Sequence, residues 1–240
     1  MNWFAILVGI GASLSIWRVV QEQKQPEKLN WGISSLWVLV GAWVGARIAF
    51  FIWQPAIILD LGWQAIDLRE GGMVWPGAIL GGWISIWLIS LKKGMRFLKA
   101  ADQLIMMLPP LVITSWLAGW FSGSAYGPIM AEAWWVPKTI DDTFQILPRF
   151  PLQLLAAFSL FVFYLLAETR IRNEVTGFRT VIIWSIFSSH SLLFSFLRAD
   201  PRPEWLGITW DIWFVFICMV WLLVLYWMVW LRKPRRKLEN

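Results

Sequence analysis

A guanidinium inside an apolar run is the first group in this chain that asks for a chemical partner, because a charge in hydrocarbon is costly and marks a pathway, a partner or a ligand. Arg47 lies 16 residues into the run that begins at Trp31, about 24 Å along a helix rising 1.5 Å per residue. Gln153 follows Arg149 at the start of a later run, and Arg198 closes the next one. An arginine so placed suits a phosphate or carboxylate, which it grips with two parallel hydrogen bonds. Snorkelling to the headgroup layer, or an internal pair with Asp211 or Glu70, is the alternative. His190 is the only histidine and the one side chain in reach of proton transfer near neutral pH. It sits among Ser185, Ser188, Ser189 and Ser191, a setting that better suits a hydrogen bond to a neighbouring helix.

The stretch Gly71-Gly72-Met73-Val74-Trp75-Pro76-Gly77-Ala78-Ile79-Leu80-Gly81-Gly82 is the second signal. Glycine permits sharp turns and close backbone approach, and non-helical backbone at membrane depth survives only against protein or a wet cavity. A ligand pocket fits this density. So does tight helix packing through Gly77 and Gly81, which have the spacing of a small-residue crossing, and taken alone the stretch favours packing. Soluble-enzyme chemistry has little else to rest on. There is no zinc-ligand spacing and no phosphate-binding glycine loop, Cys218 is the lone cysteine, and neither a metal nor a cofactor is expected.

The elements that must position these groups follow from composition: 58% of residues are hydrophobic and the mean hydropathy is +0.60. Seven runs have spanning length: Trp3–Val20, Trp31–Trp53, Met73–Leu91, Gln103–Phe121, Pro151–Ala167, Thr180–Leu197 and Ile208–Leu231. The third and fourth are the most broken. The N-terminus lacks a basic region and a small-residue cleavage site ahead of its apolar run, so it reads as a retained helix. Arg18, Lys24 and Lys28 fall in one loop, Lys92, Lys93, Arg96 and Lys99 in a second, and Arg170, Arg172 and Arg179 in a third. With Arg232, Lys233, Arg235, Arg236 and Lys237 in the tail, 15 of the 21 basic residues lie on one side. The positive-inside bias makes that side cytoplasmic and the N-terminus external. The fold class is therefore an all-α membrane protein of seven transmembrane helices, one polytopic domain over 1–240, with an extracytoplasmic loop at 122–148 and a basic cytoplasmic tail at 232–240. The net charge of +6 needs no nucleic acid, since anionic lipid and topology explain it. Most of the 21 tryptophans read as interfacial anchors.

The order of motifs resembles the bacterial prolipoprotein diacylglyceryl transferases across nearly the whole chain. Trp3-Phe4 is similar to the family's Trp-Tyr, and Gly45-Ala46-Arg47-Ile48 to its Gly-Gly-Arg-Leu. Ile66 to Met73 resembles the approach to its Gly-Gly-Met-Ser-Phe-His-Gly-Gly signature. The stretch from Asp102 through Pro109-Pro110 to Tyr126-Gly127 resembles the segment ending in Glu-Leu-Tyr-Gly. Arg149-Phe150-Pro151-Leu152-Gln153-Leu154 resembles Arg-His-Pro-Ser-Gln-Leu, and Phe196-Leu197-Arg198 resembles Phe-Phe-Arg. The resemblance implies a bacterial inner-membrane protein with an outward-facing cavity for phosphatidylglycerol. It also implies transfer of a diacylglyceryl group to the cysteine of a lipoprotein signal peptide.

The departures fall on the positions where the family keeps reactive groups. Pro76 stands for the signature histidine and Phe4 for the tyrosine. Trp116 stands for an arginine, Gly119 and Ser122 for two asparagines, Ser124 for a glutamate, and Ser191 and Ser195 for a further arginine and glutamate. Proline and serine do not replace a positioned acid or base, whose help is worth about 10² to 10⁴ in rate. The expected site is thus a lipid-binding one, Arg47, Gly71, Gly72, Gly77, Tyr126, Gln153 and Arg198, with His190 the one candidate substitute base. Its expected partner is membrane phospholipid, with a lipoprotein signal peptide or a larger membrane complex as others. An active transferase and a structural subunit of a membrane complex are the competing readings, and a transporter is disfavoured by the lack of an inverted repeat.

Overall fold

The computed structural model describes residues 3–54, 74–141, 145–171 and 175–231. The chain divides into two compact units, Val19–Leu104 and Met1–Arg18 with Ile105–Asn240.

In the unit Val19–Leu104, α2 (Lys28–Trp53) and α3 (Trp75–Lys92) cross on glycine, followed by the short α4 (Phe97–Leu104). A Cβ on Gly77 would collide with the carbonyl oxygen of Gly45 and the methyl of Ala49, and one on Gly81 with the carbonyl of Gly41. Gly41 and Gly45 are closed off in the same way from the other side. This is the small-residue crossing that the spacing of Gly77 and Gly81 favours, and backbone-to-backbone approach is what holds it where lipid offers no hydrophobic drive. The crossing continues past the start of α3, where the Val74 amide donates to the Ala46 carbonyl at 3.3 Å. At the other end the Lys93 ammonium lies 4.3 Å from the centre of the Trp31 ring, a cation–π contact.

The second unit opens with α1 (Trp3–Gln21), most of which belongs to it, and continues after a 3-10 turn at Ile105–Met107 with α5 (Leu108–Ser122). Pro109 and Pro110 cause the pinch. They lack the N–H groups that Ile105 and Met106 would need four residues on, yet they sit comfortably in the first turn of a new helix. Ser15 of α1 lies within hydrogen-bond distance of both its own Gly11 carbonyl, at 2.7 Å, and the Met107 carbonyl, at 2.8 Å. The helix α5 ends at Gly123, whose φ of +66° is the left-handed stop that glycine takes without a Cβ penalty.

The segment after Gly123 folds into a hairpin of β1 (Lys138–Ile140) and β2 (Ile146–Pro148), registered with Thr139 opposite Leu147. Then come α6 (Leu152–Arg170), α7 (Phe178–Leu197), a tight hairpin of β3 (Glu204–Trp205) and β4 (Ile208–Thr209), and α8 (Trp210–Trp230). A core of Leu152, Ala156 and Phe194, with Trp116 and Phe150 against it, joins α5, α6 and α7. The Trp184 indole donates to the Cys218 carbonyl at 3.0 Å and ties α7 to α8.

Among the described residues six segments are long and apolar enough to cross a membrane: Trp3–Gln21, Lys28–Trp53, Phe97–Ser122, Leu152–Arg170, Phe178–Leu197 and Trp210–Trp230. The expected third run is helical over Trp75–Lys92 but is not one of the six; its Trp75-Pro76 start, its glycines and its terminal Lys92 dilute its apolar character. The expected fourth run begins earlier than Gln103, because α4 and the 3-10 turn extend it back to Phe97. Outward-facing apolar side chains such as Leu223, Trp227 and Trp230 on α8 are exposed, as a lipid-facing helix requires.

Candidate functional site

Two polar clusters meet where α5 stops, α6 starts and α7 gives way to the β3–β4 hairpin. The first is built by the 123–150 segment. The Asp141 carboxylate accepts from the Arg149 guanidinium at 2.8 Å through one oxygen and from the Gln145 amide at 2.9 Å through the other. Both ion-pair partners are buried, at 8% and 4% side-chain exposure. Arg149 also lies 4.1 Å above the centre of the Tyr126 ring and donates weakly to the Gly127 carbonyl at 3.4 Å. The segment is folded onto itself by backbone bonds from Met130 to Pro148, Arg149 to Pro137 and Phe150 to Pro128. At its exposed rim Glu132 accepts from Lys138 at 2.8 Å, a bond that holds its carboxyl below the ordinary carboxylate range.

Gln153, buried in the first turn of α6, donates to the Ser124 carbonyl at 2.9 Å. The Ser122 and Ser124 hydroxyls bond each other at 2.8 Å, and the Ser124 amide donates back to Gly119 at 3.0 Å. Thus Gly119, Ser122, Ser124 and Gln153 form one small hydrogen-bonded group rather than an array of titratable side chains. Trp116, one turn before Gly119, packs on Phe194 with ring centres 5.7 Å apart.

The second cluster is charged and closes the corner between α7 and α8. Arg198 grips Asp200 with two bonds, at 2.9 and 2.5 Å. Arg202 reaches Asp211 at 2.5 Å and donates to the Ser195 and Arg198 carbonyls at 3.1 Å each. A cation on the last carbonyls of α7 and a carboxylate in the first turn of α8 both complement the helix dipoles. The two clusters are linked by the Ala199 amide, which donates to the Tyr126 carbonyl at 2.9 Å.

The structure therefore brings Tyr126, Gln153 and Arg198 together at one end of one unit. Arg198 is engaged there by Asp200, a partner that sequence did not name, and Asp211, the partner that it did name, lies farther off at 3.7 Å. His190 lies deeper on α7, with Nε2 2.9 Å from the Ser159 hydroxyl of α6 and its ring stacked 4.1 Å from Phe194; this is the interhelical bond its serine-rich setting favours. Arg47 and Gly77 belong to the other unit. Arg47 is buried at 7% exposure with its guanidinium 5.2 Å from the centre of the Phe51 ring, and Gly77 is closed off by α2. Gly71 and Gly72 lie outside the described residues. Asp141, Asp200 and Arg202 carry weight that sequence reasoning missed. The legible signal was opposite charges close to prolines, in Asp200-Pro201-Arg202-Pro203 and between Asp141 and Arg149.

The sequence profile of the prolipoprotein diacylglyceryl transferase family matches residues 1–230. The phosphatidylglycerol–prolipoprotein diacylglyceryl transferase of Legionella pneumophila (strain Lens) is 27% identical over 161 residues, 64% of this chain and 61% of the relative. That of Rickettsia conorii is 26% identical over 181 residues, 72% of this chain and 69% of the relative. That of Buchnera aphidicola subsp. Schizaphis graminum is 20% identical over 227 residues, 85% and 82% of the two chains. The chain spans about three fifths of the length of the Legionella relative.

Proposed function

This chain belongs to the prolipoprotein diacylglyceryl transferase family, and from that premise we propose that it holds a phosphatidylglycerol-type phospholipid in an outward-facing cavity with its transferase activity reduced or lost. It is a multi-pass protein of the bacterial inner membrane. In the proposed topology seven helices cross, Trp75–Lys92 among them, as one polytopic domain over 1–240. The N-terminus and the 122–148 loop are outside, and the basic tail at 232–240 is in the cytoplasm. Asymmetry of the basic residues supports it. Thr139 is buried, whereas Trp134 is 98% exposed, so Trp134 is the position to label. Trp134→Cys in a Cys218→Ala background is expected to react with an impermeant maleimide in intact spheroplasts. Labelling only after the membrane is opened would reverse the topology.

The proposed lipid-binding set is Arg47, Gly71, Gly72, Gly77, Tyr126, Gln153 and Arg198. Within it the roles differ. Arg47 supplies the charge for the phosphate, and Gly77 fixes the α2 backbone at Gly45, two residues before Arg47. Tyr126 and Gln153 shape the polar end of their unit, and Arg198 holds its corner. The observation that carries the reduced-activity reading is Trp116, which sits in the apolar core beside Phe194 at the position the resemblance gives to an arginine. The transfer forms a bond from the cysteine sulfur to the glyceryl carbon, breaks that carbon's bond to the phosphate oxygen, and expels glycerol phosphate. The thiol proton must go to a base, since thiolate is the nucleophile. Gly119, Ser122 and Ser124 offer the leaving phosphate neither charge nor an acid, and the His190 Nε2 is already bonded to Ser159.

Replacing Arg47 with leucine is expected to reduce retention of phosphatidylglycerol roughly ten- to hundredfold, the worth of a charge-assisted bond. Native mass spectrometry of the purified protein measures it. Unchanged retention would make Arg47 a structural residue and remove the proposed site. The second reading, an active transferase, is favoured by the names of the relatives, and lipidation in a depleted cell decides between the two.

A further inference from the structure

At the end of the same unit that carries Arg18 and Arg170, far along α6 from Gln153, a half-open crevice of about 330 Å³ lies between α1, α5, α6 and α7. Its walls are apolar, with Leu14, Pro110, Ile113, Phe161 and Ile183 among them. Four polar groups interrupt the apolar wall, of which the Thr114 hydroxyl is satisfied by the Pro110 carbonyl at 2.8 Å. Arg18 and Glu168 face each other as an ion pair, both partly exposed. Tyr164, one turn before Glu168, is 7% exposed, and its buried hydroxyl has no hydrogen-bond partner among the described residues. A buried hydroxyl without a partner is costly, so this one asks for an acceptor that the described residues do not supply.

We propose that this crevice is a second lipid site, which takes one acyl chain and the glycerol ester of a zwitterionic phospholipid of the ethanolamine type. Charge complementarity selects the class. Among its described lining residues the mouth offers one cation and one anion side by side, so a headgroup with a phosphate and an ammonium can engage both, phosphate on Arg18 and ammonium on Glu168. Depth selects the hydrogen bond. Four residues on a helix separate Tyr164 from Glu168 by about 6 Å, and the interfacial layer between headgroup and hydrocarbon is also roughly 5 to 7 Å thick on each side of a bilayer. A lipid whose headgroup rests on the ion pair thus places its ester carbonyls at the level of the helical turn that carries Tyr164, a residue lining the same crevice. Anionic phosphatidylglycerol would meet the Glu168 carboxylate with no positive group to offer. The site is independent of the one proposed above and draws on the proposed topology only for which leaflet supplies the lipid.

The full-length protein is purified into detergent, mixed with phosphatidylethanolamine or phosphatidylglycerol, and counted for bound lipid by native mass spectrometry. Melting is followed in parallel. Wild type is expected to keep one phosphatidylethanolamine that Ile113→Trp, which fills the crevice, reduces at least tenfold. Tyr164→Phe is expected to lower that retention roughly three- to tenfold, the worth of one hydrogen bond, and to shrink the rise in melting temperature that the lipid produces. Because Tyr164→Phe only removes an unpaired hydroxyl, it keeps the question answerable if Ile113→Trp fails to fold. Equal retention of phosphatidylethanolamine by wild type and Tyr164→Phe would overturn the site. Preferential retention of phosphatidylglycerol that is sensitive to Tyr164→Phe would overturn the headgroup assignment. Phosphatidylglycerol lost in Arg47→Leu, with phosphatidylethanolamine still bound and still sensitive to Tyr164→Phe, would support both sites as separate.

Discussion

Expressed in a bacterium depleted of its own diacylglyceryl transferase, this chain is expected to leave growth unrescued and prolipoprotein unmodified. Each positioned acid or base is worth about 10² to 10⁴ in rate, and groups that act as a unit lose nearly all of their effect when one is removed. The positions that the resemblance gives to such groups hold Pro76, Trp116, Gly119, Ser122 and Ser124 in this chain. Pro76→His is an informative second arm, because position 76 lies in the first turn of α3, where a proline ring is tolerated and an added N–H needs no helical partner. The substitution is therefore expected to fold and, on the proposed reading, still to fail, since in that reading Trp116, Ser122 and Ser124 leave phosphate charge and leaving-group protonation unassisted. Lipidated prolipoprotein from the unaltered chain, detected by its mobility shift, would refute the inactive reading. Loss of that lipidation in His190→Ala would then name His190 as the base.

The largest expected effect on stability belongs to the Asp141–Arg149 pair. Removing one partner of a buried ion pair strands the other charge, a cost of about 3 to 5 kcal/mol. Asp141→Ala also frees the Gln145 amide at the hairpin mouth, so it is expected to be the worse of the two single changes. Arg149→Met with Asp141→Leu together are expected to recover most of the loss, because a buried pair replaced by apolar groups of similar size is often neutral. A double-mutant cycle on thermal unfolding in detergent measures the coupling. Additive single effects would mean that the two residues act separately.

Apolar length made the helices legible, because a membrane demands some 20 apolar residues in a row and little else mimics that. Gly77 and Gly81 were legible as a crossing for a similar reason, since four-residue spacing of the smallest side chain has few other uses in a bilayer. The 3-10 pinch at Ile105–Met107 follows from Pro109 and Pro110, yet the apolar pattern runs through it and hides it. The hairpins at 138–148 and 204–209 were not legible: strands of two or three residues carry no usable period. Nor were the partners of Arg149 and Arg202, because a pairing across a loop depends on how the loop folds, which charge alone does not encode. His190 was read from its serine neighbours toward an interhelical bond, but that Ser159 on α6 is the acceptor or donor required the structure.

Arg198, Asp200, Arg202 and Asp211 lock the α7–α8 corner with two cations and two anions, and this balance has an electrostatic result of its own. Viewed from beyond a screening length of about 8 Å in physiological salt, these four charges cancel and leave the exposed Glu204 of β3 as a single negative charge, so the corner exerts no pull on an anion diffusing in the membrane plane. Long-range steering needs an excess of one sign. Any anionic lipid that settles beside Arg198 is thus chosen on contact rather than drawn in, and the ionic strength of the medium governs its arrival at this corner only slightly.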